Sequence, residues 1–141
     1  MIYVLDSNVA VKWALTELLS DKAQVLRDDF KNNIHELLSP DIFPAEVIHA
    51  LTRAERQNRI TPPEGGRLFA DIMSTPPTFF PYQPLIPRAY EIASQAKIGV
   101  YDCLYVALSE RENCELVTAD DRLIKVLQPI FPQIIHLASL P

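Results

Sequence analysis

The sequence predicts an α/β fold, a three-layer α/β/α sandwich with a central, mostly parallel sheet in a single domain spanning residues 1–141. Short strands that are apolar on both faces alternate with helical segments, and this pattern is typical of a parallel sheet covered on each side. No repeat, low-complexity tract or linker divides the chain, and its twelve prolines lie between elements. With 48% hydrophobic and 22% charged residues, the composition is that of an ordinary globular domain.

Apolar runs bounded by turn residues predict the strands. Four runs have this form, and they are Ile2–Leu5, Thr78–Tyr82, Glu115–Thr118 and Ile134–Leu137. A brief apolar segment, Leu37-Leu38, lies between the second and third helical patterns.

Helical spacing of apolar residues predicts the helices. The predicted segments are Asn8–Leu18, Ser20–Asn33, 43–59, Pro63–Ser74, Pro87–Ala96, 101–112 and Asp121–Val126. Ser20 is the expected N-cap of the second helix, whose apolar positions run from Ala23 to Ile34. Pro44 suits the first turn of the third.

Several function classes are excluded by composition. No apolar stretch approaches the roughly 20 residues that span a bilayer, and Asp6 interrupts the first apolar run too early for a signal peptide, so we expect a cytoplasmic protein without a membrane partner. The cysteines and histidines match no zinc pattern; they are Cys103, Cys114, His35, His49 and His136. The net charge of −5 restricts any nucleic-acid binding to a local patch.

Acids follow both clear strand-to-helix turns. Asp6 comes directly after Ile2–Leu5, and Asp120 comes just after Glu115–Thr118. In parallel sheets, ligands bind beyond the carboxyl ends of the strands, so these two acids should share one edge. Asp102 begins a largely apolar helix, and Glu46 lies in the first turn of another.

Each acid also has a purely structural interpretation. Asp102 and Asp120 are good N-caps, and Glu46 suits the positive end of a helix dipole. Asp6 is harder to explain in this way, because an unpaired carboxylate after a buried strand is costly. Together, crowded carboxylates need a cation, and hard oxygen ligands select Mg²⁺ or Mn²⁺. Asn8 and Thr118 could add neutral oxygen donors, and such a site can activate water to hydrolyse a phosphodiester.

Four segments resemble the PIN-domain ribonucleases, and most of all the VapC toxins of bacterial toxin–antitoxin pairs. In chain order they are DSNVAVKW, PAEVIHAL, YDCLYVAL and LVTADDRL, and the resemblance extends over essentially the whole chain. The resemblance implies that the catalytic, metal-binding acids are Asp6, Glu46, Asp102 and Asp120. It places supporting polar residues at Ser7 or Asn8 and at Thr118. Asp121 either shares the role of Asp120 or is a solvated first-turn acid, and we favour the second interpretation.

The same resemblance implies a function and partners. It predicts a Mg²⁺- or Mn²⁺-dependent endoribonuclease that acts on RNA, forms a homodimer and is inhibited by a cognate antitoxin. Two alternatives stay open: a PIN-like module that binds RNA or protein without cleaving, and a housekeeping RNA-processing nuclease. A haloacid-dehalogenase-type phosphatase is disfavoured, because it needs a second Asp where this chain has Asn8. A response-regulator receiver is disfavoured too, because it needs an acid pair after the first strand.

Three arginines and three aromatic residues each allow two roles. Arg53, Arg56 and Arg59 share a spacing that predicts one helix face, which is either solvated or a contact for RNA phosphates. The aromatic residues Trp13, Tyr101 and Tyr105 are predicted to lie in the core or an interface, in preference to stacking on bases.

Overall fold

A computed structural model describes residues 1–141, and its centre is a five-stranded sheet in which all neighbouring strands are parallel. The strands are β1 (Ile2–Leu5), β2 (Glu36–Pro40), β3 (Thr78–Phe80), β4 (Glu115–Thr118) and β5 (Ile134–His136). Their order across the sheet is β3-β2-β1-β4-β5. The predicted α/β class is confirmed, and the sheet is entirely parallel.

Seven helices connect the strands. They are α1 (Ser7–Val11), α2 (Ser20–Lys31), α3 (Phe43–Arg56), α4 (Pro62–Met73), α5 (Ile86–Ala96), α6 (Val100–Arg111) and α7 (Asp121–Leu127), with short 3₁₀ turns at Gln83–Leu85 and Leu137–Ser139. None of them is both long enough and apolar enough to cross a lipid bilayer.

The two faces of the sheet carry separate hydrophobic cores. On β1, Tyr3 and Leu5 pack into one core with residues of α1 to α4, whereas Val4 packs into the other with residues of α5 to α7. Alternate residues of a strand point to opposite faces, so a strand buried on both sides must be apolar throughout. This requirement explains the continuous apolar run that opens the chain, and it produces the three layers.

The segment around Leu37-Leu38 is a full strand, β2, pairing with β1 on one side and β3 on the other. The apolar pattern shows only two of its five residues, because the next position is Ser39. That serine is buried, and its hydroxyl donates a 2.6 Å hydrogen bond to the carbonyl oxygen of Leu5. Because this buried polar residue interrupts the apolar run, the sequence pattern does not predict the full strand.

The first helix is much shorter than predicted, ending at Val11 instead of Leu18. Beyond it the chain turns so that the indole nitrogen of Trp13 donates a 3.0 Å hydrogen bond to the carbonyl oxygen of Ala23. Apolar residues continue through this turn at nearly helical intervals, which is why the sequence predicted one long helix.

The predicted N-cap role of Ser20 is wrong. Ser20 is the first residue of α2, and the N-cap position is Leu19, in the left-handed region with φ of 69°. The hydroxyl of Ser20 instead accepts from the amide of Glu17 at 2.9 Å and donates to the carbonyl of Leu15 at 3.1 Å. These bonds stabilise the turn before the helix. At the other end, Ile34 lies outside α2 and is exposed.

A buried arginine ties α2 to α4. The guanidinium of Arg27 donates to the side chain of Thr75 at 3.1 Å and to the carbonyl oxygen of Asp71 at 2.6 Å. It also forms an ion pair with the carboxylate of Asp71 at 3.3 Å and lies 4.8 Å from the ring centroid of Trp13. Because hydrogen bonds to a charged group are stronger than neutral ones, this cluster should stabilise the helical layer.

Arg27→Met should lower the free energy of unfolding by about 2–3 kcal/mol, because it keeps the aliphatic volume while removing the charge-assisted hydrogen bonds. Urea denaturation followed by circular dichroism measures the change. Arg67→Met is the matched control, since Arg67 is exposed on α4 and makes no ion pair or side-chain hydrogen bond; it should shift stability by less than about 0.5 kcal/mol. Equal unfolding midpoints for the two variants would contradict the structural role of Arg27.

Candidate active site

The strand order reverses at the boundary between β1 and β4, and polar residues gather at the carboxyl ends of these two strands. Connections from β1 lead toward β2 and β3 on one side, and β4 and β5 lie on the other. Asp6 follows β1 and Asp120 follows Thr118, the last residue of β4. A reversal of this kind leaves a crevice at the carboxyl edge of an α/β sheet, where ligands bind.

Asp6 is buried at this edge, and its carboxylate is held by two neighbours. Its Oδ2 accepts a 2.8 Å hydrogen bond from the hydroxyl of Thr118 and a 3.3 Å bond from the side-chain amide of Asn8. The pKa of Asp6 is raised to about 7, chiefly by burial. The negative charges of Asp102 and Glu46 also raise it, while hydrogen bonds from Thr118 and Asn8 lower it. Near neutral pH the cluster can therefore hold a proton on this carboxyl.

Asn8 and Thr118 join the loops that follow β1 and β4. The carbonyl oxygen of the Asn8 side chain accepts from the backbone amide of Ala119 at 3.0 Å, while the hydroxyl of Thr118 accepts from the amide of Asp120 at 3.1 Å. Both predicted supporting residues thus lie at the site. Their oxygen atoms are already engaged in hydrogen bonds, so their support in this structure is to orient Asp6.

Glu46 reaches the cluster from the first turn of α3, as predicted. Its Oε1 accepts a 3.4 Å hydrogen bond from the hydroxyl of Ser7. The fully buried Tyr105 of α6 also directs its hydroxyl here: burial, followed by the charges of Asp6 and Glu46, raises the pKa of Tyr105. That hydroxyl has no hydrogen-bond partner of good geometry. The sequence predicted Tyr105 as a core or interface residue, and it did not indicate that its hydroxyl faces the acids.

Asp102 lies in the first turn of α6, but it is not the N-cap, which is Gly99. The capping interpretation of Asp102 is therefore wrong. Burial raises the pKa of Asp102 to about 6, with further contributions from the charges of Asp120 and Glu46. Asp6, Glu46, Asp102 and Asp120 are thus close enough for their charges to act on Asp6 or Asp102, and we call these four residues the acid cluster.

Asp120 and its neighbour Asp121 have different surroundings. Asp120 is the N-cap of α7, and its Oδ1 accepts from the amides of Arg122 and Leu123 at 2.9 and 3.2 Å. The capping prediction for Asp120 is confirmed. Asp121 points away, with its side chain 94% exposed and its Oδ1 2.9 Å from Nε2 of His136. The interpretation of Asp121 as a solvated first-turn acid agrees with this placement.

The chemistry of the acid cluster fits a hard divalent cation, since all of its charged donors are carboxylate oxygens. Three helices, α3, α6 and α7, also carry its members at or near their N-termini, where helix dipoles favour negative charge. As the side chains stand, however, no three of the acidic, histidine or cysteine side chains are placed to hold one metal ion together. Ligation by three or more of them would require side-chain rotation.

The predicted arginine face is divided in the structure. Helix α3 ends at Arg56, so Arg59 lies in the following turn, where its Nη2 is 3.0 Å from a carboxylate oxygen of Glu17. Arg53 is exposed on α3 and forms no ion pair. Among the aromatic residues, Trp13 and Tyr105 are buried in the core as predicted, whereas Tyr101 is 57% exposed.

The protein is therefore an α/β protein with a parallel sheet and a carboxylate-lined site at the switch point of that sheet. The family model described as "PIN domain" matches residues 3–127. The chain belongs to the PIN-domain family.

Similar proteins include several ribonucleases of Mycobacterium tuberculosis. Ribonuclease VapC12 is 33% identical over 120 residues, which cover 85% of this chain and 88% of VapC12. Ribonuclease VapC1 is 35% identical over 124 residues, which cover 84% of this chain and 90% of VapC1. Ribonuclease VapC9 is 36% identical over 84 residues, and there the chain covers 65% of the relative's length.

Two solved structures share the fold. PAE2754 from Pyrobaculum aerophilum superimposes with a TM-score of 0.69 at 20% identity, covering 99% of this chain and 94% of that protein. VapBC2 from Rickettsia felis, bound to a DNA fragment from its promoter, gives a TM-score of 0.63 at 20% identity, covering 96% of this chain and 97% of that one.

The raised pKa values predict how stability depends on pH. A carboxyl group whose folded pKa exceeds its unfolded value contributes stability that is complete below the unfolded pKa and is lost as pH rises through the folded one. For Asp6 this window runs from 3.8 to about 7. In EDTA, wild type should therefore lose stability relative to Asp6→Asn between these pH values, by on the order of a few kcal/mol.

Urea denaturation of both proteins at several pH values measures this difference. Asp21→Asn is the control, because Asp21 is exposed on α2 and forms no ion pair or side-chain hydrogen bond; its pH dependence should follow that of wild type. Parallel stability curves for wild type and Asp6→Asn would show that Asp6 ionises normally.

Proposed function

We propose that the protein is a Mg²⁺- or Mn²⁺-dependent endoribonuclease that hydrolyses RNA phosphodiester bonds, and that it is the toxin of a toxin–antitoxin pair. The observation that carries this proposal is the convergence of Asp6, Glu46, Asp102 and Asp120 at the switch point of the sheet, with the pKa values of Asp6 and Asp102 raised. Membership of the PIN-domain family and the similarity to proteins named VapC ribonucleases support it.

The four members of the acid cluster are the residues that would hold the cation. A bound Mg²⁺ or Mn²⁺ would supply activation of water and stabilisation of the charge that develops on the phosphate. Four carboxylates would otherwise repel an RNA backbone, so neutralising them is also a condition for binding substrate.

The chain's own residues hold and orient these ligands. Thr118 and Asn8 fix Asp6 against the end of β4, and the backbone amides at the start of α7 fix one oxygen of Asp120, leaving the other free to face the site. Ser7 orients Glu46. Preorganised ligands of this kind lower the cost of arranging charge during the reaction.

Partner proteins form part of the same proposal. The chain between Leu18 and Arg59 is the candidate surface for a cognate antitoxin, and it exposes four large apolar side chains: Leu18, Val25, Ile34 and Ile48. Contact of these side chains with an antitoxin would remove apolar surface from water, which would stabilise the complex. We further propose that the protein forms a homodimer and acts in the cytoplasm.

Asp6→Asn should abolish Mn²⁺-dependent cleavage of single-stranded RNA while keeping the fold, because it removes a charged ligand and preserves the side-chain shape. A loss of at least about a hundredfold is expected by analogy with the removal of one electrostatic catalytic group. Gel assays with purified protein, with and without EDTA, measure it, and circular dichroism checks the fold. Asp121→Asn should retain wild-type activity. Cleavage by folded Asp6→Asn at the wild-type rate would refute the assignment.

Metal binding should also be visible as stability. Mn²⁺ at about a hundred times its Kd should stabilise wild type by roughly 2.7 kcal/mol, whereas Glu46→Gln and Asp102→Asn should respond much less. Without metal, these two variants should be at least as stable as wild type, because each relieves repulsion within the acid cluster. Asp121→Asn should respond as wild type does. Thermal melts of the four proteins with and without Mn²⁺ test this. If Mn²⁺ does not stabilise wild type and the two variants are less stable than wild type, the acids have only a structural role.

A further inference from the structure

Two open cavities flank the acid cluster, and His49 of α3 lines both. The first, which we call the aromatic cavity, has a volume of about 310 Å³ and is lined by Ile42, Ala45, Glu46, His49 and Tyr101. The second, which we call the arginine cavity, has a volume of about 320 Å³ and extends from Asn8 past His49 to Arg53 and Arg59. His49 therefore stands on the ridge between them.

The aromatic cavity lies between the N-terminal parts of helices α3 and α6. Ile42, Ala45, Glu46 and His49 follow the i, i+3, i+4, i+7 spacing that places residues on one helix face. Tyr101 approaches from the first turn of α6, immediately before Asp102. Because Glu46 lines the cavity and also belongs to the acid cluster, the two sites are continuous. A molecule in the aromatic cavity would lie directly beside the reacting centre.

The charges of the two cavities differ. Glu46 is the one acidic residue lining the aromatic cavity, and the wall contains no arginine or lysine. In the arginine cavity, Glu17 pairs with Arg59 and also with Lys12, while Arg53 forms no ion pair. A phosphate would thus be repelled from the aromatic cavity and attracted to Arg53. An uncharged, flat group suits the aromatic cavity.

We propose that the aromatic cavity is a nucleobase subsite, in which Tyr101 stacks on a base next to the scissile phosphate while a neighbouring phosphate contacts Arg53. The proposal rests on the proposed ribonuclease function, which it extends to how the enzyme holds its substrate. Tyr101 is 57% exposed and directly precedes Asp102 of the acid cluster, so its side chain is accessible for stacking on a base. The cavity lies at the small end of ligand-binding pockets, as expected for one base.

The first test uses a fluorescently labelled single-stranded RNA of mixed sequence and a set of versions with one abasic position each. Tyr101→Ala should raise KM about tenfold with kcat nearly unchanged, because stacking is uniform binding energy. Tyr101→Phe should restore the wild-type KM, since it keeps the ring. Tyr90→Ala is the matched control: Tyr90 is 68% exposed on α5 and lines neither cavity.

An abasic scan tests the pairing of Tyr101 with one base. At a single position near the cleavage site, removing the base should weaken the affinity of wild type for RNA about tenfold. The same abasic RNA should bind Tyr101→Ala almost as well as intact RNA does, because both changes remove the same contact. Independent, additive losses at every position would overturn the proposal. So would a Tyr101→Ala protein with wild-type KM.

Two further measurements distinguish a failure of the subsite from a failure of the nuclease proposal. The first is the RNA affinity of Asp6→Asn, which can be measured without cleavage. If adding Tyr101→Ala to this variant lowers its RNA affinity about tenfold, the result supports the subsite even if the nuclease proposal fails. An affinity of the double variant equal to that of Asp6→Asn alone would overturn the subsite while leaving the nuclease proposal intact. Light scattering reports the oligomeric state, and a Tyr101→Ala protein of altered mass would make Tyr101 an interface residue and refute the stacking role.

Discussion

The hydrogen bond from the hydroxyl of Thr118 to the carboxylate of Asp6, at 2.8 Å, is the contact on which the site depends. It joins the last residue of β4 to the first residue after β1, across the switch point of the sheet. The backbone continues the same pairing, since the amide of Asp6 donates to the carbonyl of Val117 at 3.1 Å. Sheet register and site geometry are therefore set by one set of bonds, and a slip of one residue would remove Asp6 from the cluster.

Much of this arrangement could be predicted from the sequence, because β1 and β4 are buried on both faces and each leads into an acid. Strand β2 could not, since Ser39 interrupts its apolar run and is satisfied only by a carbonyl of a strand distant in sequence. The direction of the Tyr105 hydroxyl could not be predicted for another reason. Residues 103–109 of α6 are all buried, so their pattern does not distinguish the side facing the acids from the side facing the core.

Burial is the main cause of the raised pKa values in the acid cluster. For both Asp6 and Asp102, burial is the largest single cause of the raised pKa, ahead of any one neighbouring charge. Three helix N-termini lie near this carboxyl edge of the sheet, and their dipoles favour the negative charge of the buried acids. A cation would relieve the remaining repulsion, which explains why stability and catalysis should respond to the same ion.

The net charge of −5 limits how the protein can recognise a polyanion. Its overall field repels RNA, so attraction must come from short-range features that act within about 8 Å, the screening length at physiological salt. Near the acid cluster, the exposed Arg53 forms no ion pair, and Arg59 shares the carboxylate of Glu17 with Lys12. Few phosphate contacts imply a shallow dependence of affinity on salt. Under the proposed function, discrimination among RNAs would then depend more on contacts with bases than on charge, and the exposed Tyr101 beside the acid cluster would make one such contact.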